Sequence, residues 1–187
     1  MENSIFEIIK SRRSIRKYKE KSVDREKIDK CLEAARLAPS AENVQPWRFI
    51  VLDDPELKNR FAEKVFTGIY SPTKFAGKAP VIIVMLARLD ILANRIGKQI
   101  QGIHYYFIDV GIAGEHLALQ AQELGLGTCW IGWFNPRKAR KFLKIPKGYK
   151  IVSLMSLGYP AEEKSTVEKR HTFDKVVWYN GFKRNDK

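Results

Sequence analysis

Val81 to Ala87 is an unbroken apolar run, Val-Ile-Ile-Val-Met-Leu-Ala, entered through Pro80 and left at Arg88. A strand apolar at every position has no face to give to water, so it predicts a central strand covered by helices on both sides. The run is far too short to cross a bilayer. The strongest helix pattern spans His104 to Leu124. Val110, Ala113, Leu117, Ala121 and Leu124 make one stripe, while Ile108, Ile112 and Leu119 occupy another side. A helix apolar on more than one side is buried, either centrally or in a subunit interface.

Other elements follow from local signals. Ile5, Ile8 and Ile9 share one helical face before Ser11. Asp24 is placed to cap a helix, with Val23 stapling against Ile28. Ile28, Cys31, Leu32 and Ala35 repeat at helical spacing until Pro39. Trp47–Leu52 reads as a strand, and Asp54-Pro55 opens a helix with cap and first-turn proline in the favoured order. Thr128–Trp133 resembles a short strand, Asn135-Pro136 caps a small basic helix, and Ile151–Leu157 is a second buried strand. Gly125 ends the long helix. Helices with interspersed strands and no strict βαβ alternation predict an α+β sandwich. At 187 residues, with no repeat and no linker, residues 1–187 read as a single domain. Arg88–Gly102 carries no clear period and is compatible with a lid.

Charge narrows the partners rather than the fold. Lys and Arg number 34 against 21 Asp and Glu, a net charge of +13. Lys10–Lys30 holds ten basic and four acidic residues, and Asn135–Lys150 holds seven basic and no acidic ones. Such blocks suit nucleic acid, a phosphorylated small molecule, or water. No recognisable nucleic-acid motif accompanies them, so a basic nucleic-acid-binding domain without redox activity stands as the alternative of another class. The two cysteines, Cys31 and Cys129, form no C-x-x-C pair. His104, His116 and His171 are scattered, so no metal site is expected. Gly125-x-Gly127 lacks the third glycine of a dinucleotide fingerprint, and Ser71-Pro72-Thr73-Lys74 lacks its companion motifs. No catalytic acid, base or nucleophile stands out. Glu7 interrupts the first apolar stretch and no signal cleavage site follows, so a cytoplasmic location is expected.

Three segments carry what remains. Ser11-Arg12-Arg13-Ser14-Ile15-Arg16 packs three guanidiniums and two hydroxyls into six residues, and in extended chain Arg12, Ser14 and Arg16 alternate onto one side. That set suits a phosphate, and a solvated basic turn looks the same. Ala38 to Trp47 is a polar, proline-bracketed loop with Ser40, Asn43 and Gln45, groups able to read the edge of a flat heteroaromatic ring. An ordinary helix-to-strand connection with Trp47 in the core would have the same residues. Gly125 to Phe134 combines glycines, which admit close backbone approach, with Trp130 and Trp133. A buried strand with packed tryptophans is its other reading.

In this order and spacing the segments resemble the FMN-dependent nitroreductase family. The likeness runs from Ile5-Phe6-Glu7-Ile8-Ile9-Lys10-Ser11-Arg12-Arg13-Ser14-Ile15-Arg16-Lys17-Tyr18 through Ala38-Pro39-Ser40, Asn43 and Gln45-Pro46-Trp47. It continues in the helix from Asp109-Val110-Gly111 to Leu124-Gly125-Leu126-Gly127, then Ile145-Pro146, Leu157-Gly158-Tyr159-Pro160 and Lys169-Arg170. The resemblance implies an α/β/α sandwich with a mixed central sheet flanked by helices, in a domain-sharing homodimer with FMN at the interface. It assigns Arg12, Arg13, Ser14 and Arg16 to FMN. Arg12 and Ser14 are expected on phosphate or ribityl oxygens, and Arg16 near flavin N1 and the C2 carbonyl. Pro39, Ser40 and Asn43 are expected at the ring edge from the other subunit, Ile131, Gly132 and Trp133 along the ring's far side, and Arg170 on the phosphate. The implied activity is a ping-pong oxidoreductase. Hydride passes from NADH or NADPH to flavin N5, then to a nitroaromatic, a quinone or a similar acceptor. The same scaffold also supports reductive dehalogenases and dehydrogenases. His171 stands where many relatives have lysine, and no Pro-x-Glu-Gly segment is present.

Overall fold

The structure, a computed structural model, describes residues 4–89, 102–162 and 169–182. Among the described residues the elements run α1 (Ile5–Ser11), α2 (Arg25–Arg36), β1 (Trp47–Leu52), α3 (Pro55–Val65), β2 (Val81–Arg88), α4 (Tyr105–Glu123), β3 (Gly127–Ile131), α5 (Pro136–Phe142) and β4 (Tyr149–Gly158). Single 3-10 segments occupy Ala41–Asn43, Gly68–Lys78 and Phe173–Lys175.

The apolar run does become the central strand. The sheet order is β1-β2-β4-β3, and all three strand pairs are antiparallel. Among the described residues the expected mixed sheet is therefore an antiparallel one, with an isolated parallel bridge from Ser14 to Thr128 at the β3 edge. Alternation along β2 builds two cores. Val81, Ile83, Met85 and Ala87 pack with Ile28, Cys31 and Ala35 of α2 and with Val110, Ala113, Leu117 and Ala121 of α4. Ile82, Val84 and Leu86 pack on the other face with Phe61 and Val65 of α3 and Ala139 of α5. The result is the expected α/β/α sandwich. A bulge between Met85 and Leu86 shifts the β2–β4 register.

Several caps are as the sequence predicts. Asp54 accepts a hydrogen bond from the Leu57 N–H at 2.7 Å, and Asn135 accepts one from Lys138 at 3.0 Å. Asp24 takes the N-cap position of α2 but its side chain makes no capping bond. The second stripe of α4 is only partly buried: Ile108 is exposed, Leu119 is half-buried, and Ile112, also half-buried, packs against the first core. The lid reading of Arg88–Gly102 falls mostly on residues 90–101, outside the described residues. No helix among the described residues is long and apolar enough to cross a membrane.

Two of the seven basic residues in the second block make structural bonds. Arg140 donates to the Ile145 and Pro146 carbonyls at 2.9 and 2.7 Å and also to Tyr149. Lys138 reaches the Thr67 hydroxyl at 3.2 Å. These bonds tie α5 to its neighbours, whereas Arg137, Lys141, Lys144, Lys147 and Lys150 are exposed.

Candidate functional site

The Arg12–Arg16 segment leaves α1 at Ser11 and becomes extended against β3. Ile15 donates its N–H to the Thr128 carbonyl at 2.8 Å, and Ser14 bridges the same residue. Tyr18 locks the far end, its hydroxyl donating to the Ile15 carbonyl at 2.7 Å and lying 2.8 Å from Ser156 Oγ. Burial raises the Tyr18 pKa, so the phenol stays protonated. Gly127 permits the close approach, since a Cβ there would collide with the Ile15 side chain.

This anchoring turns Ile15 into the core and sends Arg12, Ser14 and Arg16 the other way. Arg12 Nε lies 3.4 Å from Glu115 on α4. Arg13 donates to the carbonyls of Lys10 and Arg12 (2.9 Å for the latter), and its Nε is buried without a partner. The Arg16 guanidinium sits 5.8 Å from the Phe75 ring centre. Of these three cations only Arg12 has a carboxylate within ion-pair reach among the described residues. A buried unsatisfied N–H on a cation is costly, and a bound anionic oxygen would satisfy it. On that ground the residues fit the phosphate of FMN.

The Pro39–Gln45 loop is built differently. Glu42, Asn43 and Gln45 all adopt left-handed backbone, with φ of 50°, 53° and 46°, a conformation unfavourable for residues with a Cβ. Side-chain bonds hold it. Ser40 Oγ accepts the Gln45 N–H at 2.9 Å, and Asn43 Oδ1 accepts from Gln45 Nε2 at 3.0 Å. The Ala41 N–H donates to Asp109 Oδ1 at 3.0 Å. Asp109, on α4, is 2% exposed and its Oδ2 has no partner. Burial raises its pKa, opposed by the bond from Ala41. Pro39 and Asn43 are exposed and Ser40 is half-buried, whereas Trp47 lies in the core.

The exit from β3 completes the picture. The strand ends at Ile131, two residues before the predicted limit. Ile131 is buried in the second core and offers only its backbone, and Gly132 is exposed. Trp133 is 54% exposed yet fixed. Its indole donates to the Ile69 carbonyl at 2.7 Å, its own carbonyl accepts from Thr73 at 2.6 Å, and its ring is 5.3 Å from Tyr70. Thr73 and Phe75 share one 3-10 segment, so Arg16 and Trp133 flank the same element. The structure therefore brings Arg12–Arg16 and the β3 exit to one edge. None of Arg12, Arg13 and Arg16 bonds to the Pro39–Gln45 loop. Both segments instead meet α4, at Glu115 and Asp109, about 9 Å apart along the axis. Arg170 is exposed in the segment 169–182, and none of the bonds above involves it.

Asp109, Glu115, Tyr18, Thr128 and Phe75 were not singled out by residue type. For Asp109 a signal exists: it shares the buried face of α4 with Tyr106 and Ala113 at i−3 and i+4, so a carboxylate stands on an otherwise apolar stripe. Cys31 is no hidden nucleophile, because burial pushes its thiol up to about 12. Among the described residues no cluster is able to hold a metal ion.

Comparison with known proteins converges on one family. The pattern of the nitroreductase family matches residues 9–74 and 69–159. A protein of Archaeoglobus fulgidus, named for NADH dehydrogenase and NAD(P)H nitroreductase, is 35% identical over 174 residues, covering 90% of this chain and 92% of the relative. The structure of an FMN-dependent nitroreductase from Clostridium difficile superposes with a TM-score of 0.74 at 35% identity, covering 94% of this chain and 98% of that one. Iodotyrosine deiodinase 1 of Sus scrofa is 30% identical over 184 residues, covering 84% of this chain and 62% of the relative.

Proposed function

The chain belongs to the nitroreductase family, an oxidoreductase family, and on that premise we propose that it is a homodimeric, FMN-dependent NAD(P)H oxidoreductase. When bound, FMN supplies hydride acceptance from NADH or NADPH at N5 and delivery to an electron-poor molecule such as a nitroaromatic or quinone. Arg12 and Ser14 would hold the phosphate or ribityl oxygens, with Arg13 donating from its buried Nε. Arg16 would set a cation near flavin N1 and the C2 carbonyl, where it favours negative charge. Pro39, Ser40 and Asn43 of a second copy would meet the ring edge, Gly132 and Trp133 its far side, and Arg170 the phosphate.

The observation that carries this reading is the cationic segment pinned to β3 with one guanidinium N–H buried and unsatisfied. The dimer is supported by exposed apolar residues on two helices that pack together: Phe6, 62% exposed, with Ile5 and Ile9 on α1, and Phe107 and Ile108 on α4. Light scattering that returned a monomer would remove the second copy's loop from each site.

The test is anaerobic reconstitution with FMN, followed by NADH or NADPH. Bleaching of the flavin band, with colour restored by a nitroaromatic or quinone, supports the reading and names the reductant. Parallel lines in initial-rate kinetics are expected for the ping-pong order. The similarity to the deiodinase motivates one further arm, a halogenated phenol as acceptor with the products identified. No flavin retained would overturn the assignment of Arg12, Arg13, Ser14 and Arg16.

A further inference from the structure

Lys58 stands where its helix faces the core. The inward stripe of α3 is Lys58, Phe61 and Val65, at spacing i, i+3, i+7, and Lys58 is 6% exposed. Its stem packs as a hydrocarbon would. Its ammonium donates one hydrogen bond, 2.8 Å long, to the Gly77 carbonyl. An ammonium has three donors and a full charge, so one neutral carbonyl leaves the charge uncompensated. No carboxylate among the described residues lies within ion-pair distance of it. Burial shifts the amine below the ordinary lysine value, with no acid pulling it back. A buried charge is tolerated when it is paired, and here the described residues supply no counter-charge.

The space beside it does offer a seat for one. Lys58 lines a cleft of about 780 Å³ between the Tyr18–Val23 stretch, the start of α3 and the start of β2. Lys19, Lys21 and Lys78 line it too, against Glu20 and Asp53. Asp53 is already engaged by Arg25 at 2.6 Å. The surplus is positive, and the volume is that of small-molecule sites, larger than one tetrahedral anion needs. Lysines act as point charges that suit phosphate without a bidentate geometry. We propose that this cleft binds a phosphate group, free or carried on a small organic molecule, with Lys58 as its buried counter-charge. None of the residues assigned to FMN lines the cleft, so the proposal stands apart from the flavin reading.

Inorganic phosphate is the probe, titrated into FMN-loaded protein at constant ionic strength set with chloride and followed by amide NMR shifts. The expected result is saturable movement at Val23, Lys58, Asn59 and Gly77. Lys58→Met keeps the stem and removes the charge, so affinity should fall about tenfold or more. Should Lys58→Met not fold, Lys21→Gln combined with Lys78→Gln, both on exposed side chains, should weaken binding severalfold. A parallel titration with ribose 5-phosphate identifies the source. Tighter binding than inorganic phosphate marks an organic phosphomonoester, and equal binding marks free phosphate. Shifts that never saturate, that centre on Arg12–Arg16, or that survive in the lysine variants would overturn the proposal. If the chain takes up no FMN, the same titration on the flavin-free protein, comparing Arg12→Ala with Lys58→Met, tells failure of the flavin reading from failure of this one.

Discussion

The Arg12–Arg16 segment and the Ser40–Gln45 loop are both rigid, but by opposite means. The first commits its backbone, through Ile15 to Thr128, and turns its guanidiniums outward. The second commits its side chains, Ser40 and Asn43 to Gln45, and hangs its backbone from Asp109 by one bond. A segment of the first kind presents charge, and one of the second kind presents backbone N–H and carbonyl groups in a fixed, left-handed arrangement. Charge suits a phosphate and fixed backbone suits the edge of a ring. The two together are what a molecule with an anionic tail and a polar ring requires.

The largest expected effect is on the charged side. Arg12→Ala removes a guanidinium whose ion-pair partner among the described residues, Glu115, is 3.4 Å away and about half-exposed, so folding should change little. Loss of charge-assisted bonds to phosphate should cost about 2–3 kcal/mol, roughly a hundredfold in FMN affinity. Fluorescence titration with FMN checks this, and an unchanged affinity would detach the phosphate from this segment. Next comes the backbone that aims the charge. Gly127→Ala puts a methyl into Ile15, which should destabilise the fold by about 1–3 kcal/mol through overpacking. Thermal melting and amide exchange should place the loss at residues 14–18. The loop at 40–45 should keep its protection, and equal loosening of both would show that the two supports are not independent.

That contrast also decides what was readable beforehand. Val81–Ala87 and the α4 stripe were legible because burial imposes periods of two and 3.6 on residue choice. β1 begins at Trp47 and α4 at Tyr105, each close to the expected limit. The alternation of Arg12, Ser14 and Arg16 was legible for the same reason. The loop was not, because its conformation carries no glycine: Glu42, Asn43 and Gln45 are left-handed through bonds to partners that local sequence does not reveal. Gly68–Lys78, a 3-10 segment containing Pro72, likewise has no strong period, yet it supports Trp133 and lies beside Arg16. Asp109 and Lys58 were passed over because a lone charge in an apolar stripe reads as an irregularity until its surroundings are known.

A smaller effect tests the loop's anchor. Burial is the larger influence on Asp109 and raises its carboxyl above the usual 3.8. For an acid raised on folding, the folded state holds the proton more tightly than the unfolded state between those two values. Stability therefore falls as pH rises through that window, the reverse of an ion-paired carboxylate. Asp109→Asn keeps an oxygen for the Ala41 N–H and removes the charge. At neutral pH it should melt no lower than the parent and up to about 2–4 °C higher. The advantage should shrink as pH is lowered toward about 4. A lower melting temperature at neutral pH would mean that the ionised carboxylate itself holds the loop.

The smallest expected effect is at Glu42, where the loop's strain can be separated from its anchoring. Its φ of 50° and ψ of 22° cost a residue with a Cβ about 1–2 kcal/mol. Glycine removes that cost but adds about 0.5–1 kcal/mol of unfolded-chain entropy. Glu42→Gly should therefore raise stability by less than about 1 kcal/mol in denaturant melts. Glu42 is exposed, and the bonds that shape the loop run through Ser40, Ala41, Asn43 and Gln45. FMN affinity should stay within about twofold of the parent, because 1.4 kcal/mol is needed for each tenfold change. A larger loss of FMN with the stability gained would show that the strain, rather than the bonds, keeps the backbone groups aimed.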